Sequence, residues 1–157
     1  MKIVRYEINL DSNIIISVLI NDVHCKDITK VFSEFEKEEY EIYLSLISYS
    51  EIWTGIELIR DAKTKTETID ILDKILHSTK IKLVSDNILI AKGAAKAQAK
   101  YKIKGGKKEV LIPDFLIGAN AEFYSGRLLT TNPRDFFRFF SKLEVITPDI
   151  FLQDKAT

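Results

Sequence analysis

Asp11, Glu51, Asp114 and the pair Asn132 and Asp135 stand where short apolar runs give way to stretches with helical spacing. All carry oxygen donors, the ligand type that hard divalent cations such as Mg²⁺ and Mn²⁺ require. In a sheet of parallel strands the carboxyl ends share one edge, so residues far apart in the chain can meet there. Two carboxylates ~4 Å apart repel by about 4 kcal/mol at an effective dielectric near 20. A gathered set must therefore hold protons at neutral pH or bind a cation. No Lys or Arg adjoins Asp11, Glu51 or Asp114 in sequence, although Arg134 lies beside Asn132 and Asp135. A divalent metal is the simplest neutraliser, and Mg²⁺ or Mn²⁺ is expected to raise the melting temperature.

Each of these residues also has a local reading. Asp11 suits the N-cap of the helix that follows it. Ser48 and Glu51 have the spacing of a capping box. Asp114, next to Pro113, suits the positive end of a helix, as does Asp135. Singly, the local reading is the better one for each. Their shared position at one predicted sheet edge tips the balance toward a common site.

The elements that must place them alternate in kind. Residues 3–10 read as a strand, 11–20 as a helix and 27–40 as an amphipathic helix ending in acids. Residues 42–46 form a second strand, and helical stretches follow over 48–60 and 66–77. A short strand at 81–84 precedes an Ala-rich helix over 86–100, interrupted at Gly105 and Gly106. Pro113 marks the first turn of a helix reaching Tyr124. A fourth strand at 127–131, a short helix at 133–140 and a fifth strand at 144–147 complete the reading. Strands alternating with helices imply a parallel sheet covered on both faces.

The bulk properties fit that reading. A chain of 157 residues suits one domain, 1–157, able to bury its own core. Lys plus Arg and Asp plus Glu both number 23, so no overall field announces a nucleic-acid partner. Cys25 is the only cysteine, which excludes an intrachain disulfide and suits a reducing cytoplasm. With two histidines besides, the chain lacks the ligands of a typical structural zinc site. The start carries charges inside what would be the apolar core of a signal peptide, and no apolar run reaches the length of a membrane span, so a soluble, intracellular chain is expected.

Four segments together resemble a known family. Leu10-Asp11-Ser12-Asn13-Ile14, Ser48-Tyr49-Ser50-Glu51-Ile52-Trp53-Thr54-Gly55, Ile112-Pro113-Asp114-Phe115-Leu116-Ile117-Gly118-Ala119-Asn120-Ala121 and Leu128-Leu129-Thr130-Thr131-Asn132-Pro133-Arg134-Asp135-Phe136 resemble, in order and spacing, the PIN-domain ribonucleases, specifically the VapC-type toxins of prokaryotic toxin–antitoxin pairs. The resemblance implies a three-layer α/β/α fold with strand order 3-2-1-4-5 and strands one and four at the switch point. It implies metal ligation by Asp11, Glu51 and Asp114. The fourth place is open: Asn132 stands where the family often has Asp, and Asp135 is the alternative ligand or the holder of a bound water. Asn13 is expected to orient Asp11. Arg5, Glu7 and Asn9 make the first strand more polar than a central strand usually is. The resemblance further implies a homodimer, silenced by a cognate antitoxin whose tail covers the active-site groove.

The expected chemistry is metal-assisted hydrolysis of an RNA phosphodiester, with one or two Mg²⁺ or Mn²⁺ ions activating water. His24 and His77 lie away from the motifs and have no part in it. Between Lys92 and Lys108 there are seven lysines and no acid, and the run approaches Asp114. Lys102, Lys104 and Lys107 are the candidates for contact with RNA phosphates, against the plainer reading of a solvated helix face. Among Phe136, Phe137, Phe139 and Phe140, at least half are expected in the core and the rest against a partner subunit or a base. The alternative function is a PIN-like module that binds RNA or protein without cleaving, which Asn132 would suit. A phospho-acceptor signalling domain fits poorly, because strands three and five lack its Asp and Lys. An aspartyl-phosphate phosphatase would want Asp where Asn13 stands.

Overall fold

Each strand is followed by a helical segment too long for a hairpin turn, and parallel pairing is the geometry that accommodates such crossovers. The computed structural model, which describes residues 6–106 and 112–156, has that form. Strands β1 (Tyr6–Leu10), β2 (Tyr40–Ser45), β3 (Lys82–Val84), β4 (Arg127–Leu129) and β5 (Glu144–Ile146) make one parallel sheet in the order β3-β2-β1-β4-β5. The sheet is central and parallel, as expected, and β1 and β4 flank the point where the winding reverses. The outermost strands, β3 and β5, are 3 residues each.

Helices α1 (Ser12–Leu19), α2 (Cys25–Lys37), α3 (Leu46–Glu57), α4 (Ala62–Ser78) and α8 (Pro148–Ala156) cover one face; α5 (Ile88–Ile103), α6 (Ile112–Tyr124) and α7 (Arg134–Phe137) cover the other. Two apolar clusters result. Ile8 and Leu10 of β1 pack with Ile14, Ile28, Ile52 and Leu72, while Leu128 of β4 packs with Ile90, Phe115, Ile117 and Phe136. The alternation of side chains along a strand explains how β1 tolerates polar residues. Asn9 points to the second face, only 2% exposed, and its amide donates to Asn120 Oδ1 at 3.0 Å. Ser125 Oγ donates to Asn9 Oδ1 at 2.8 Å, and Asn120 Nδ2 donates to Asp86 Oδ1 at 2.9 Å. A fully paired polar chain thus runs from the α6–β4 turn through the central strand to the start of α5. Glu7, half-buried, accepts from the Tyr43 hydroxyl at 3.3 Å.

Three boundaries differ from the sequence reading, each for a local reason. Helix α2 begins at Cys25, its first-turn Asp27 at the positive end. Helix α3 begins at Leu46, because Ser45 rather than Ser48 supplies the capping oxygen. Helix α8 was not expected; Pro148 opens it, and Lys155 closes it onto Glu38 at 2.5 Å beneath the rings of Tyr6 and Tyr40. Among the described residues no helix is long and apolar enough to cross a membrane.

Candidate active site

The parallel register sets Leu10 opposite Leu129, so the next residues, Asp11 and Thr130, leave their strands side by side. The ladder continues one step: the Asp11 amide donates to the Leu129 carbonyl at 2.9 Å and the Thr130 amide to Ile146 at 3.0 Å. Asp11 takes the N-cap position of α1, yet its side chain does not cap. Its Oδ2 accepts from the Thr130 hydroxyl at 2.8 Å and its Oδ1 from the Ser12 hydroxyl at 3.4 Å. The local reading of Asp11 fails.

Thr130 is fully buried and its hydroxyl is saturated. It accepts from Asn13 Nδ2 at 3.3 Å and from the Asn132 amide N–H at 3.0 Å. A hydroxyl has one proton and two lone pairs; with both lone pairs engaged, the proton is directed at Asp11. The Thr131 amide donates to Asn13 Oδ1 at 3.3 Å, which fixes the orientation of that side-chain amide. Asn13 therefore acts on Asp11 through Thr130 rather than by direct contact.

Glu51 has no capping duty either. The Ser48 amide donates to Ser45 Oγ at 3.1 Å, so the cap lies six residues before Glu51 and not three. Glu51 instead accepts from the Ser12 hydroxyl at 3.2 Å. Ser12 stands between Asp11 and Glu51, and with one proton to give it serves either carboxylate but not both at once.

Asp114 enters from the other side of the sheet, in the first turn of α6. One turn later Gly118 receives the Phe140 ring so closely that a Cβ there would sit 2.3 Å from it. This close approach packs the turn after α7 against α6, and Asp135 of α7 lies within electrostatic reach of Asp114. Asn132, exposed, donates its side-chain amide to Asp135 Oδ2 at 2.7 Å.

The three inner carboxyls feel one another. Burial pushes Asp11 up to about 6; hydrogen bonds from Thr130 and Ser12 oppose the rise, and the charge of Asp114 adds to it. Burial, then the charges of Asp11 and Asp114, raise Glu51. Burial and the charge of Asp135 raise Asp114. No cation offsets this set among the described residues. The repulsion that the sequence reading anticipated is present, and it links Asp11, Glu51, Asp114 and Asp135 across four separate elements.

Hard carboxylate and hydroxyl oxygens are the donor chemistry of Mg²⁺ and Mn²⁺. Among the described residues no three His, Cys, Asp or Glu side chains form a ready cage for an ion. Mg²⁺ usually keeps several waters and takes one or two carboxylates, so an open cluster of this kind suits it.

A family model for the PIN domain matches residues 8–140. The chain belongs to the PIN-domain family. No curated protein sequence matches it. Among solved structures, this PIN domain is similar to VapBC2 from Rickettsia felis bound to a promoter DNA fragment, at 19% identity and TM-score 0.73, covering 90% of this chain and 98% of that one. FitAcB from Neisseria gonorrhoeae is similar at 24% identity and TM-score 0.71, covering 90% and 97%. A toxin–antitoxin complex from Klebsiella pneumoniae is similar at 21% identity and TM-score 0.61, covering 89% and 96%. These likenesses share the fold.

Within the PIN domain, the lysine candidates part company. Lys104 lines a cleft with Tyr101 and Arg138, Lys102 is exposed on the last turn of α5, and Lys107 lies outside the described residues. Two residues that touch the carboxylates, Ser12 and Thr130, were not singled out from sequence. Their signal was present: each is a small hydroxyl residue at a strand's carboxyl end, immediately beside or in register with Asp11.

Proposed function

We propose that this PIN domain, spanning 1–157, is a metal-dependent endoribonuclease and the toxin of a toxin–antitoxin pair. The observation that carries the reading is the joint field of Asp11, Glu51 and Asp114 at the edge between β1 and β4, with burial and repulsion raising all three. A set held in that state gains most from a divalent cation. Asp11, Glu51 and Asp114 would hold Mg²⁺ or Mn²⁺, with Asp135 as fourth ligand or as acceptor for a coordinated water. When bound, the ion supplies an acidified water and offsets charge on the phosphate oxygens.

The chain's own residues do the rest. Thr130, locked by Asn13 and the Asn132 amide, fixes the rotamer of Asp11 and keeps Oδ2 occupied, while Oδ1 has only the longer contact with Ser12. Ser12 can release Glu51 by turning its proton to Asp11. Asn132 does not replace a carboxylate; its amide steadies Asp135. The water oxygen bonds to phosphorus as the bond to the leaving sugar oxygen breaks, and the leaving oxygen gains a proton. Lys102, Lys104 and Lys107 are the candidates for contact with the RNA backbone.

The partners follow from the same reading: RNA as substrate, a cognate antitoxin as inhibitor, a second copy as dimer mate, and the cytoplasm as location. The solved relatives that include toxin–antitoxin complexes support the antitoxin. Labelled RNA incubated with Mn²⁺ should be cut by the wild type and left whole by Asp114→Asn. Millimolar Mn²⁺ should raise the melting temperature of the wild type and do so less for Asp114→Asn. Binding at 100 times Kd corresponds to ~2.7 kcal/mol. Intact RNA under all metals, with melting curves that ignore Mn²⁺ and EDTA alike, favours the non-cleaving binding module.

A further inference from the structure

Helix α7 and the turn that follows it sort their side chains sharply. Phe136 and Phe140 are buried at 1% and 5% exposure, and Phe139 rests against Tyr101 with ring centroids 5.3 Å apart. Arg134, Phe137 and Arg138 fall three and four positions apart, on one face of the turn. That face is turned outward: Phe137 is 75% exposed, and both arginines are exposed. Among the described residues neither arginine is in an ion pair. Three clefts of about 420, 340 and 540 Å³ share Arg138 as a wall, sizes within the ordinary range for small-ligand sites. The first also takes in Lys104; the second takes in Arg134 and Asp135, whose charge reaches Asp114. An unpaired cationic and aromatic face thus begins where the carboxylate edge ends.

We propose that this face is the subsite for single-stranded RNA beside the scissile phosphate. One base stacks on Phe137, Arg134 and Arg138 take the flanking backbone phosphates, and Lys104 continues the track. An exposed ring gives any base a π-face, and guanidinium groups beside it match phosphate geometry. Arg and Phe also occur at protein interfaces; RNA is the better fit because the cationic clefts run from Lys104 to Asp135, whose charge reaches Asp114 at the carboxylate edge. The proposal rests on the nuclease reading for its substrate, but its test does not.

The test is anisotropy of a 5′-labelled single-stranded RNA in EDTA over a salt series, with no cleavage needed. Phe137→Ala should weaken binding about 5- to 150-fold, the range of one lost base stack. Phe137→Trp should restore it and Phe137→Leu should not. The double variant R134Q/R138Q should reduce the salt slope by about 1.4, or ~0.7 per phosphate contact on a single strand. Wild-type affinity in Phe137→Ala, or a wild-type slope in the arginine pair, overturns the subsite. Full rescue by leucine overturns stacking. A change of solution mass with RNA binding intact assigns the face to a protein contact and also overturns it. A wild type that binds in this manner yet never cuts RNA with Mn²⁺ sinks the nuclease reading and leaves the subsite standing.

Discussion

Replacing Asp11 by its neutral isostere should make the metal-free protein more stable. Asp11 is 5% exposed, and its pKa rises from 3.8 to about 6 on folding. The native state therefore binds the proton more tightly than the unfolded chain, and stability is lost as pH climbs from about 4 through about 6. The rise is a little over two pH units, and at 1.36 kcal/mol per unit it costs ~3 kcal/mol at pH 7. Asp11→Asn removes that cost while keeping an oxygen to accept from Thr130 and an amide to face Ser12. For a chain of 157 residues, at ~2–4 °C per kcal/mol, the melting temperature in EDTA at pH 7 should rise by roughly 6–12 °C. At pH 4 most of that gap should have closed, because both states of the wild type then hold much of the proton. The assay is a thermal melt of both proteins in EDTA at half-unit pH steps, repeated with Mn²⁺. Added metal should stabilise the wild type and do little for the variant, narrowing or reversing the gap. A variant that melts below the wild type at pH 7 in EDTA, or a gap that does not close in acid, would refute the account of Asp11.

Thr130→Val removes a hydrogen bond to a carboxylate, typically 1.5–3 kcal/mol, and leaves Asn13 and the Asn132 amide without their acceptor. Carboxyl NMR should find Asp11 titrating higher still, calorimetry should find Mn²⁺ affinity about 10- to 100-fold weaker, and Thr130→Ser should restore both; unchanged affinity would remove Thr130 from the site. Asn120→Leu strands the Asn9 amide in the core and should cost ~1–3 kcal/mol in urea denaturation. The double variant N9L/N120L should cost less than the sum of its parts, because the two side chains act as one pair; strict additivity would count against a shared network.

Much of the architecture was legible because the strands are separated by helical stretches, and that alternation permits few topologies. The positions of Asp11 and Asp114 were readable for the same reason: each sits at a strand or helix terminus with an apolar run beside it. What escaped was decided in three dimensions. The Ser48 and Glu51 spacing imitates a capping box, but Ser45 reaches the helix end first and frees Glu51. Thr130 lies in the fourth of the family-like segments, yet its role depends on the register that sets it beside Asp11. Helix α8 carries mixed polar and apolar residues with little periodic signal, and Lys155 with its ring of aromatics supplies what spacing alone does not. Asn9 was conspicuous as a polar residue in a central strand; only the opposing helix reveals its partner.

The sheet's outer strands bear on how the molecule can associate. Each is three residues long, pairs on one side only among the described residues, and carries a charge, Lys82 on one border and Glu144 on the other. Strand addition, the mode by which many polypeptides are captured or polymerise, needs a longer and blander border than that. Helices and loops are therefore the better-suited surfaces for a partner, and ribbon-like growth from sheet to sheet is disfavoured even when the protein accumulates.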